Sequence, residues 1–187
     1  MTTNDLQIID SDKTQSADDF EKIVLPVLEK HCGAEIIHTE KLRGELPLML
    51  DRYFSTDALY IKNGKMFGLS SRIQRGINWR DFSIRAGRDS KNQTEFEKHS
   101  DAIKKKKYLP EITTQSFISD DDLTIGIAQT ADVIDYIEKY KPTPIHTRKG
   151  EVGQAIFYPV SWQDFKQKGY RLKIIHEKIK NPPLKTE

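Results

Sequence analysis

The stretch STDALYIKNGKMFGLSSRIQ, residues 55–74, decides the fold because it predicts two antiparallel strands joined by a two-residue turn. Asn63-Gly64 lies between two strand-like runs, and both residues tolerate the positive φ angles of a type I′ turn. So short a turn fixes the register by counting, and Asp57 is expected to face Ser70 across the hairpin.

The second strand of this hairpin carries a row of polar side chains on one face. Side chains alternate along a strand, so Arg72 and Gln74 follow Ser70 on the same side of the sheet. One acidic side chain, Asp57, therefore lies beside a Ser-x-Arg-x-Gln row. This face is the candidate functional site.

Periodic apolar positions and turn residues predict further helices and strands on both sides of the hairpin. The first helix is expected to begin near Ser16 and to end at Gly33, with Pro26 disturbing its hydrogen bonding. Thr94 is expected to cap a helix over 95–107. The remaining predicted elements are strands at 34–38, 81–86, 111–119, 123–129, 154–159 and 170–175, and helices at 46–50, at 130–140 and beginning at 161.

This order of elements predicts an α/β or α+β fold with a single mixed β-sheet flanked by helices. A chain of 187 residues is long enough for one sizeable hydrophobic core. The expected organisation is a flexible lead over 1–15, one domain over 16–176 and a frayed tail over 177–187.

Composition excludes several classes of protein. No apolar run approaches the roughly 20 residues of a membrane-spanning helix, and the polar N-terminus has no signal-peptide pattern. Cys32 is the only cysteine, so an intrachain disulfide and a cysteine zinc cluster are excluded. The chain contains no Walker loop and no GxGxxG motif. A cytoplasmic protein is expected.

The small net charge of +2 conceals a strong separation of charge along the chain. Residues 1–59 hold six Lys or Arg and twelve Asp or Glu, a net −6, whereas residues 72–107 hold eleven and five, a net +6. A segregated basic region attracts polyanions even in a nearly neutral protein. The alternative is that both regions are ordinary solvated faces.

A helix followed by a hairpin with Asp on one strand and a polar-x-polar pair on the next resembles the PD-(D/E)XK nuclease-like superfamily over residues 16–86. The resemblance implies a restriction-endonuclease-like core. In that family two carboxylates hold a divalent metal, and a lysine steadies the attacking water or the phosphate. Asp57 matches the first acid, whereas Ser70 and Arg72 stand in the positions of the second acid and the lysine. The resemblance further implies that Gln74 continues this face and that Glu21 supplies an extra acid from the first helix.

These replacements favour holding a phosphate over hydrolysing it. Serine brings no charge to a metal, and arginine stays protonated and cannot act as a general base. A carboxylate from Glu21, Glu95 or Glu97 would restore a site for Mg²⁺ or Mn²⁺, with Asp57 as a metal ligand. The structural alternative is a simple ion pair between Asp57 and Arg72.

The segment after the hairpin combines arginines with aromatic rings, which suits nucleic acid. Arginine forms bidentate contacts with phosphate, and an exposed ring offers a stacking surface for a base. An aromatic residue in such a segment is also a common buried anchor. The candidate nucleic-acid contacts are Arg72, Arg75, Arg80, Arg85, Arg88 and Trp79.

Together these features predict a DNA- or RNA-binding protein with a degenerate PD-(D/E)XK nuclease-like fold, of the kind carried by phages or mobile elements. One alternative is a metal-dependent phosphodiesterase that uses Asp57 and a migrated carboxylate. The other is a non-enzymatic module that binds a protein partner. The sequence favours a protein without catalytic turnover and implies no certain cofactor.

Overall fold

The computed structural model describes residues 15–88, 93–107, 110–146 and 155–179. A helical stretch over 15–19 and a π-helical turn, Phe20–Val24, precede the first α-helix. The strands are β1 (Glu35–His38), β2 (Ala58–Lys62), β3 (Lys65–Arg75), β4 (Asp81–Arg88), β5 (Ile112–Ser119), β6 (Asp122–Gln129), β7 (Ile145–His146), β8 (Ala155–Ser161) and β9 (Lys173–Lys178). The α-helices are α1 (Leu25–Cys32), α2 (Leu46–Phe54), α3 (Glu95–Lys104), α4 (Thr130–Tyr140) and α5 (Trp162–Gln167).

The predicted hairpin is confirmed in both its turn and its register. Asn63 and Gly64 have φ angles of 51° and 70°, as a type I′ turn requires. Ala58 pairs with Leu69, so the register places Asp57 opposite Ser70. The backbone N–H of Asp57 donates to the carbonyl of Leu69 at 2.9 Å, which extends the pairing by one residue beyond β2.

The larger sheet has six strands in the order β1-β2-β3-β5-β6-β9. All its neighbouring strands are antiparallel except β3 and β5, which run parallel from Leu69–Ile112 to Arg75–Ile118. A parallel pair needs a long crossover, and here the chain between the two strands contains β4 and α3. This crossover brings the first turn of α3 beside β3.

The mixed α/β class is confirmed, but the prediction of a single sheet is wrong. The predicted strand at 81–86 forms β4, which belongs to a second, antiparallel sheet with the order β4-β8-β7. The chain changes direction between β3 and β4, where Gly76 and Arg80 have φ angles of 93° and 52°. The edge of β3 that faces away from β2 is occupied by β5. Strand propensity identified β4 but could not identify its distant neighbour, β8.

The first helical segment buries Phe20, Val24, Val27 and Leu28 and ends, as predicted, at Gly33, which has a left-handed φ of 58°. Pro26 lies in the first turn of α1, where a backbone N–H is not needed. The hydrogen-bonding change expected near this proline is present as the π-helical turn that ends at Val24.

Two hydrophobic cores lie against the six-stranded sheet. The first joins the π-helical turn and α1 to one sheet face and is centred on Phe20, Val24 and Leu28. The second joins α4, α5, β4 and β8 around Trp162 and Phe82. Gly126 allows the close approach in this second core, because an added Cβ would overlap the indole ring of Trp162.

Several boundaries differ from the predicted ones by a few residues. α3 ends at Lys104 rather than near Lys107, and α2 continues to Phe54. The last strand is shifted towards the C-terminus, so β9 includes the first two residues of the predicted tail. The predicted lead over 1–15 lies outside the described residues except for its last position. Within the described ranges, no helix has both the length and the apolar character needed to span a membrane.

Candidate functional site

A polar cavity of about 290 Å³ lies where β3 continues beyond the start of β2. The residues of β3 after Leu69 lose β2 as a neighbour while they stay paired with β5 on the other side. The opening is bordered by the start of the first helix, by β4 and by the first turn of α3. The described lining residues are Ser16, Ser55, Asp57, Ser70, Ser71, Arg72, Ile73, Arg85, Glu95 and Lys98.

Asp57 is fixed in place by hydrogen bonds to β3 on one side and to Thr39, which follows β1, on the other. Its Oδ2 accepts from the N–H of Ser71 at 2.7 Å, at the point where β2 no longer supplies a backbone acceptor. Its carbonyl accepts from both the N–H and the hydroxyl of Thr39, at 3.0 and 2.8 Å. The carboxylate is therefore oriented at the wall of the cavity by the strand geometry itself.

Arg72 pairs with Glu95 rather than with Asp57. Its Nη2 donates to Oε2 of Glu95 at 2.6 Å, and the guanidinium lies 5.1 Å from the centre of the Phe157 ring. The hydroxyl of Ser70 and the backbone N–H of Arg85 donate to the same carboxylate, at 3.4 and 3.3 Å. Two adjacent positions of the predicted polar row thus converge on an acid that comes from the crossover helix.

The N-terminus of α3 decides which of its two glutamates enters the cavity. Thr94 forms a capping box with Glu97, in which the N–H of Thr94 donates to Oε2 of Glu97 at 2.7 Å. That bond occupies Glu97 and leaves Glu95 as the first-turn acid beside β3. Of the three acids expected as migrated carboxylates, only Glu95 lines the cavity. Glu21 is exposed and pairs with Lys41 at 2.5 Å, away from the cavity lining.

The carboxylate of Glu95 is ionised despite its burial. Burial alone would raise its pKa, but the charges of Arg72 and His99 and the hydrogen bonds at its oxygens hold the pKa below its usual value. His99 lies behind Glu95 on the same helix face, and its Nε2 donates to the carbonyl of Phe54, 3.3 Å away. Burial lowers the pKa of His99, while the nearby charge of Glu95 opposes that shift.

The described lining of the cavity carries a small excess of positive charge. Arg72, Arg85 and Lys98 contribute three cations, against the two carboxylates of Asp57 and Glu95. Two buried donors in this wall, the Ser71 hydroxyl and Nε of Arg72, have no hydrogen-bond partner among the described residues. Buried donors without partners are rare in proteins, and an anion is a group that can satisfy them.

A second cavity of about 530 Å³ adjoins the first and shares Ser16, Asp57, Ser71, Ile73 and Arg85 with it. Its other described lining residues come from the first helix, the end of β1 and the start of α2, and they include Phe20, His38 and Leu48. The rings of Phe20 and His38 lie 5.2 Å apart. The polar cavity therefore opens towards a partly apolar one.

The remaining predicted site residues lie elsewhere. Gln74 does not line the cavity, although it follows Arg72 on β3. Arg75 forms a bidentate ion pair with Asp19, at 2.6 and 2.7 Å, so its guanidinium has a structural role. Arg80 and Trp79 are exposed in the loop before β4, with the Trp79 ring 61% accessible. The side chain of Arg88 lies outside the described part of the structure.

Sequence reasoning missed two other parts of this cavity. Lys98 lies one helical turn after Glu95, and this i, i+3 spacing could have placed the two on one face. Ser55 adopts a left-handed φ of 50° at the cavity wall, which no local sequence signal indicates.

The acids of the cavity do not form a conventional metal cage. Within the described ranges, no three His, Cys, Asp or Glu side chains are grouped closely enough to hold a metal ion. Asp57 and Glu95 are the two carboxylates that line the same cavity and that a metal would use. No protein-family model, curated protein or solved structure matches this chain in comparisons of its sequence and fold.

Proposed function

We propose that this protein binds nucleic acid by holding a backbone phosphate in the polar cavity, on a degenerate PD-(D/E)XK nuclease-like core. The observation that carries the proposal is the guanidinium of Arg72, held at the cavity wall by Glu95 with a second donor, Nε, left without a described partner. A planar guanidinium held in this way matches the geometry of a phosphate. The hydroxyls of Ser55, Ser70 and Ser71 add neutral donors around it.

The electrostatics of the cavity favour binding over hydrolysis. The Glu95 carboxylate is already neutralised by Arg72, and a carboxylate in an ion pair is a weaker metal ligand than an uncommitted one. Arg72 remains protonated at any physiological pH and cannot remove a proton from water. Ser70 stands where the family has its second acid, and a neutral hydroxyl contributes no charge to a metal.

The order of elements supports the resemblance on which the proposal rests. A helix is followed by the hairpin of β2 and β3, then by further strands and a helix that packs beside β3. Asp57 and the Ser70–Arg72 pair meet at one cavity, as the resemblance implies for the family's acid and acid-x-lysine positions.

Metal-dependent phosphodiester hydrolysis is the second candidate, because Asp57 and Glu95 line the same cavity. In this case Asp57 and Glu95 would hold Mg²⁺ or Mn²⁺, which would supply positive charge for the scissile phosphate, and the guanidinium of Arg72 would bind that phosphate. The two functions differ in turnover, not in the ligand that they recognise. A protein-interaction module remains the third candidate and predicts neither activity.

The test of binding uses a double variant that keeps the buried contact but removes its charges. In Arg72→Gln/Glu95→Gln two amides replace the ion pair, so the net charge stays that of the wild type and neither side chain is left as a lone buried ion. The matched control is Lys178→Gln/Asp122→Asn, which neutralises an exposed ion pair on the β6–β9 edge. Affinity for labelled DNA and RNA is measured by fluorescence anisotropy at two salt concentrations.

Phosphate binding predicts that the cavity variant loses affinity by tenfold or more while the control keeps it, because a charge-assisted hydrogen bond is lost only in the first. Equal affinities in the two variants would contradict the proposal. Incubation of the same substrates with Mn²⁺, beside Asp57→Asn, decides between binding and hydrolysis. Cleavage that is lost in Asp57→Asn would establish the nuclease instead.

A further inference from the structure

A second concave surface lies on the other face of the sheet, where α1 stops covering it. β3 alternates between the two regions: Ser70 and Arg72 face the polar cavity, whereas Phe67 and Leu69 face the opposite side. Beyond the C-terminus of α1, at Cys32, the described residues leave this face partly exposed. We call the open region the sheet groove.

The sheet groove consists of three adjoining depressions of about 240, 550 and 540 Å³. All three are lined by Ile112 of β5, two of them share Ile127 and Lys173, and two share Gln129. They therefore form one continuous surface that crosses the strands from β2 to β9. Three described helices border this surface, through Leu28 of α1, Ala131 of α4 and Lys166 of α5.

The floor of the sheet groove is apolar and contains a pair of aromatic rings. Tyr60 and Phe67 face each other across the hairpin, with ring centres 6.1 Å apart and an angle of 57° between the ring planes. Ile112 and Ile127 continue the floor on the next two strands. All four side chains are only partly buried.

The rim of the sheet groove is strongly basic. Lys62, Lys107, Lys166, Arg171 and Lys173 line the three depressions, and Glu111 is the one acidic side chain among their described lining residues. The carboxylate of Glu111 already has a hydrogen-bond partner, because its Oε2 accepts from the backbone N–H of Gly68 at 2.6 Å. Lys107, Lys166 and Arg171 make no side-chain hydrogen bond or ion pair within the described ranges.

We propose that the sheet groove binds single-stranded nucleic acid, with bases stacked on Tyr60 and Phe67 and phosphates on the basic rim. Charge complementarity requires an anionic occupant, and the partly exposed rings require one with flat apolar groups. Lysine is depleted at protein–protein interfaces, whereas four of the five rim cations are lysines, so a nucleic acid fits better than an acidic protein. Duplex DNA keeps its bases stacked inside and offers the rings nothing to stack on.

This inference uses different residues from the proposed function and does not depend on it. The polar cavity lies along β3 after Leu69 and the sheet groove lies before Ser70, and the residues lining the cavity include none of those lining the groove. A variant in one region therefore leaves the other region intact, and each proposal has its own variant.

The experiment measures binding of labelled single-stranded DNA and RNA of about 10 nucleotides, and of a duplex of the same length, to the full chain. Phe67→Ala removes a stacking ring, and Lys107→Gln/Arg171→Gln/Lys166→Gln removes three rim cations. The control Lys22→Gln/Lys139→Gln/Lys178→Gln lowers the net charge by the same amount at exposed positions outside the sheet groove. Photo-crosslinking of the bound strand, followed by mass spectrometry, locates the contact.

Stacking predicts that Phe67→Ala weakens single-strand binding by about 5- to 150-fold. The rim variant should reduce the steepness of the salt dependence by about 2 in the log–log slope, since each single-strand contact contributes about 0.7. The control should keep the wild-type slope, and crosslinks should fall on Tyr60 or Phe67. Comparing the affinities for the DNA strand and the RNA strand shows which sugar is preferred.

Three results would overturn the proposal. One is single-strand affinity that neither groove variant changes, and a second is crosslinking confined to the polar cavity. The third is binding of an acidic, leucine-containing peptide in place of either oligonucleotide, which would identify the sheet groove as a protein-docking surface. Retained single-strand binding and crosslinking at Phe67 in Arg72→Gln/Glu95→Gln would support the sheet groove as a site separate from the cavity.

Discussion

The polar cavity and the sheet groove are both lined by β3, yet they differ in how their charges are used. In the cavity, the buried charges are committed to each other, as the 2.6 Å contact between Arg72 and Glu95 shows. In the groove, the rim cations Lys107, Lys166 and Arg171 have no described partners, and the described residues leave the apolar floor partly exposed. The buried ion pair of the cavity is therefore part of what holds the fold together, whereas the rim cations of the groove contribute little to folding.

This difference separates stability from binding in the two regions. A change in the cavity breaks a contact that the folded state needs and that water cannot replace. A change on the rim of the groove removes a solvated charge, which costs the folded state almost nothing. Measuring the free energy of unfolding and the nucleic-acid affinity of variants in each region therefore tests this difference.

The largest expected effect on stability follows from Glu95→Ala. The substitution leaves the Arg72 guanidinium, which is 29% exposed, in the cavity without its counterion. We expect the free energy of unfolding to fall by about 3 kcal/mol, measured by urea denaturation. Asp122→Asn, at an exposed pair, should cost no more than about 1 kcal/mol. An equally small cost for Glu95→Ala would show that the cavity pair is as dispensable as a surface pair.

Arg75→Gln should lower the free energy of unfolding by about 2 kcal/mol, because it leaves the 6%-exposed Asp19 without its guanidinium. The same variant should bind DNA and RNA with wild-type affinity, since the charge of Arg75 is already neutralised in the fold. Anisotropy titrations beside denaturation curves test both statements. A loss of affinity without a loss of stability would return Arg75 to the nucleic-acid contacts that its position in the sequence indicates.

Phe67→Ala should cost about 1 kcal/mol of stability, well below the 3 to 5 kcal/mol of a fully buried phenylalanine, because the ring is only partly buried. Thermal unfolding would detect this as a shift of a few degrees. Phe117→Ala is the comparison, since that ring is fully buried in the second core. If the two variants were equally destabilised, the sheet groove would be part of the core rather than an open surface.

The smallest expected effect is a pH dependence of the free energy of unfolding that arises from His99, next to the polar cavity. Burial holds the pKa of His99 below 6.5, so below that pH the unfolded chain binds more protons than the folded one. The free energy of unfolding should therefore fall as the pH drops from 6.5, whereas the contribution of Glu95, with its pKa below 4.5, is lost only at lower pH. Glu95 and Lys98 are the charges that act on His99.

Denaturation curves between about pH 7.5 and 5 test this window, which lies around the ordinary pKa of histidine. His99→Gln, which keeps a donor for the carbonyl of Phe54, should flatten the dependence there. His176→Gln is the control, because its ring is exposed on β9. A dependence that survives in His99→Gln would assign the titration to another group.

Much of the local structure was predictable, because it depends on neighbouring residues. The turn at Asn63-Gly64, the capping by Thr94 and the end of the first helix at Gly33 are decided within a few residues. The position of Glu95 at a helix N-terminus was likewise predictable from the sequence. The acid that meets Arg72 was not predictable: the sequence suggested Asp57, whereas the contact with Glu95 depends on how the crossover helix packs beside β3.

The sequence by itself determined the hairpin, its register, the polar row on β3 and the basic character of the chain after it. Only the tertiary structure decided that β4 leaves the main sheet, that Glu95 rather than Asp57 pairs with Arg72, and that α1 ends before it covers the sheet groove. The reason is the range of the interactions. Backbone preferences and alternation act between neighbours, whereas strand partners, ion pairs and uncovered faces depend on segments that meet only when the chain is folded.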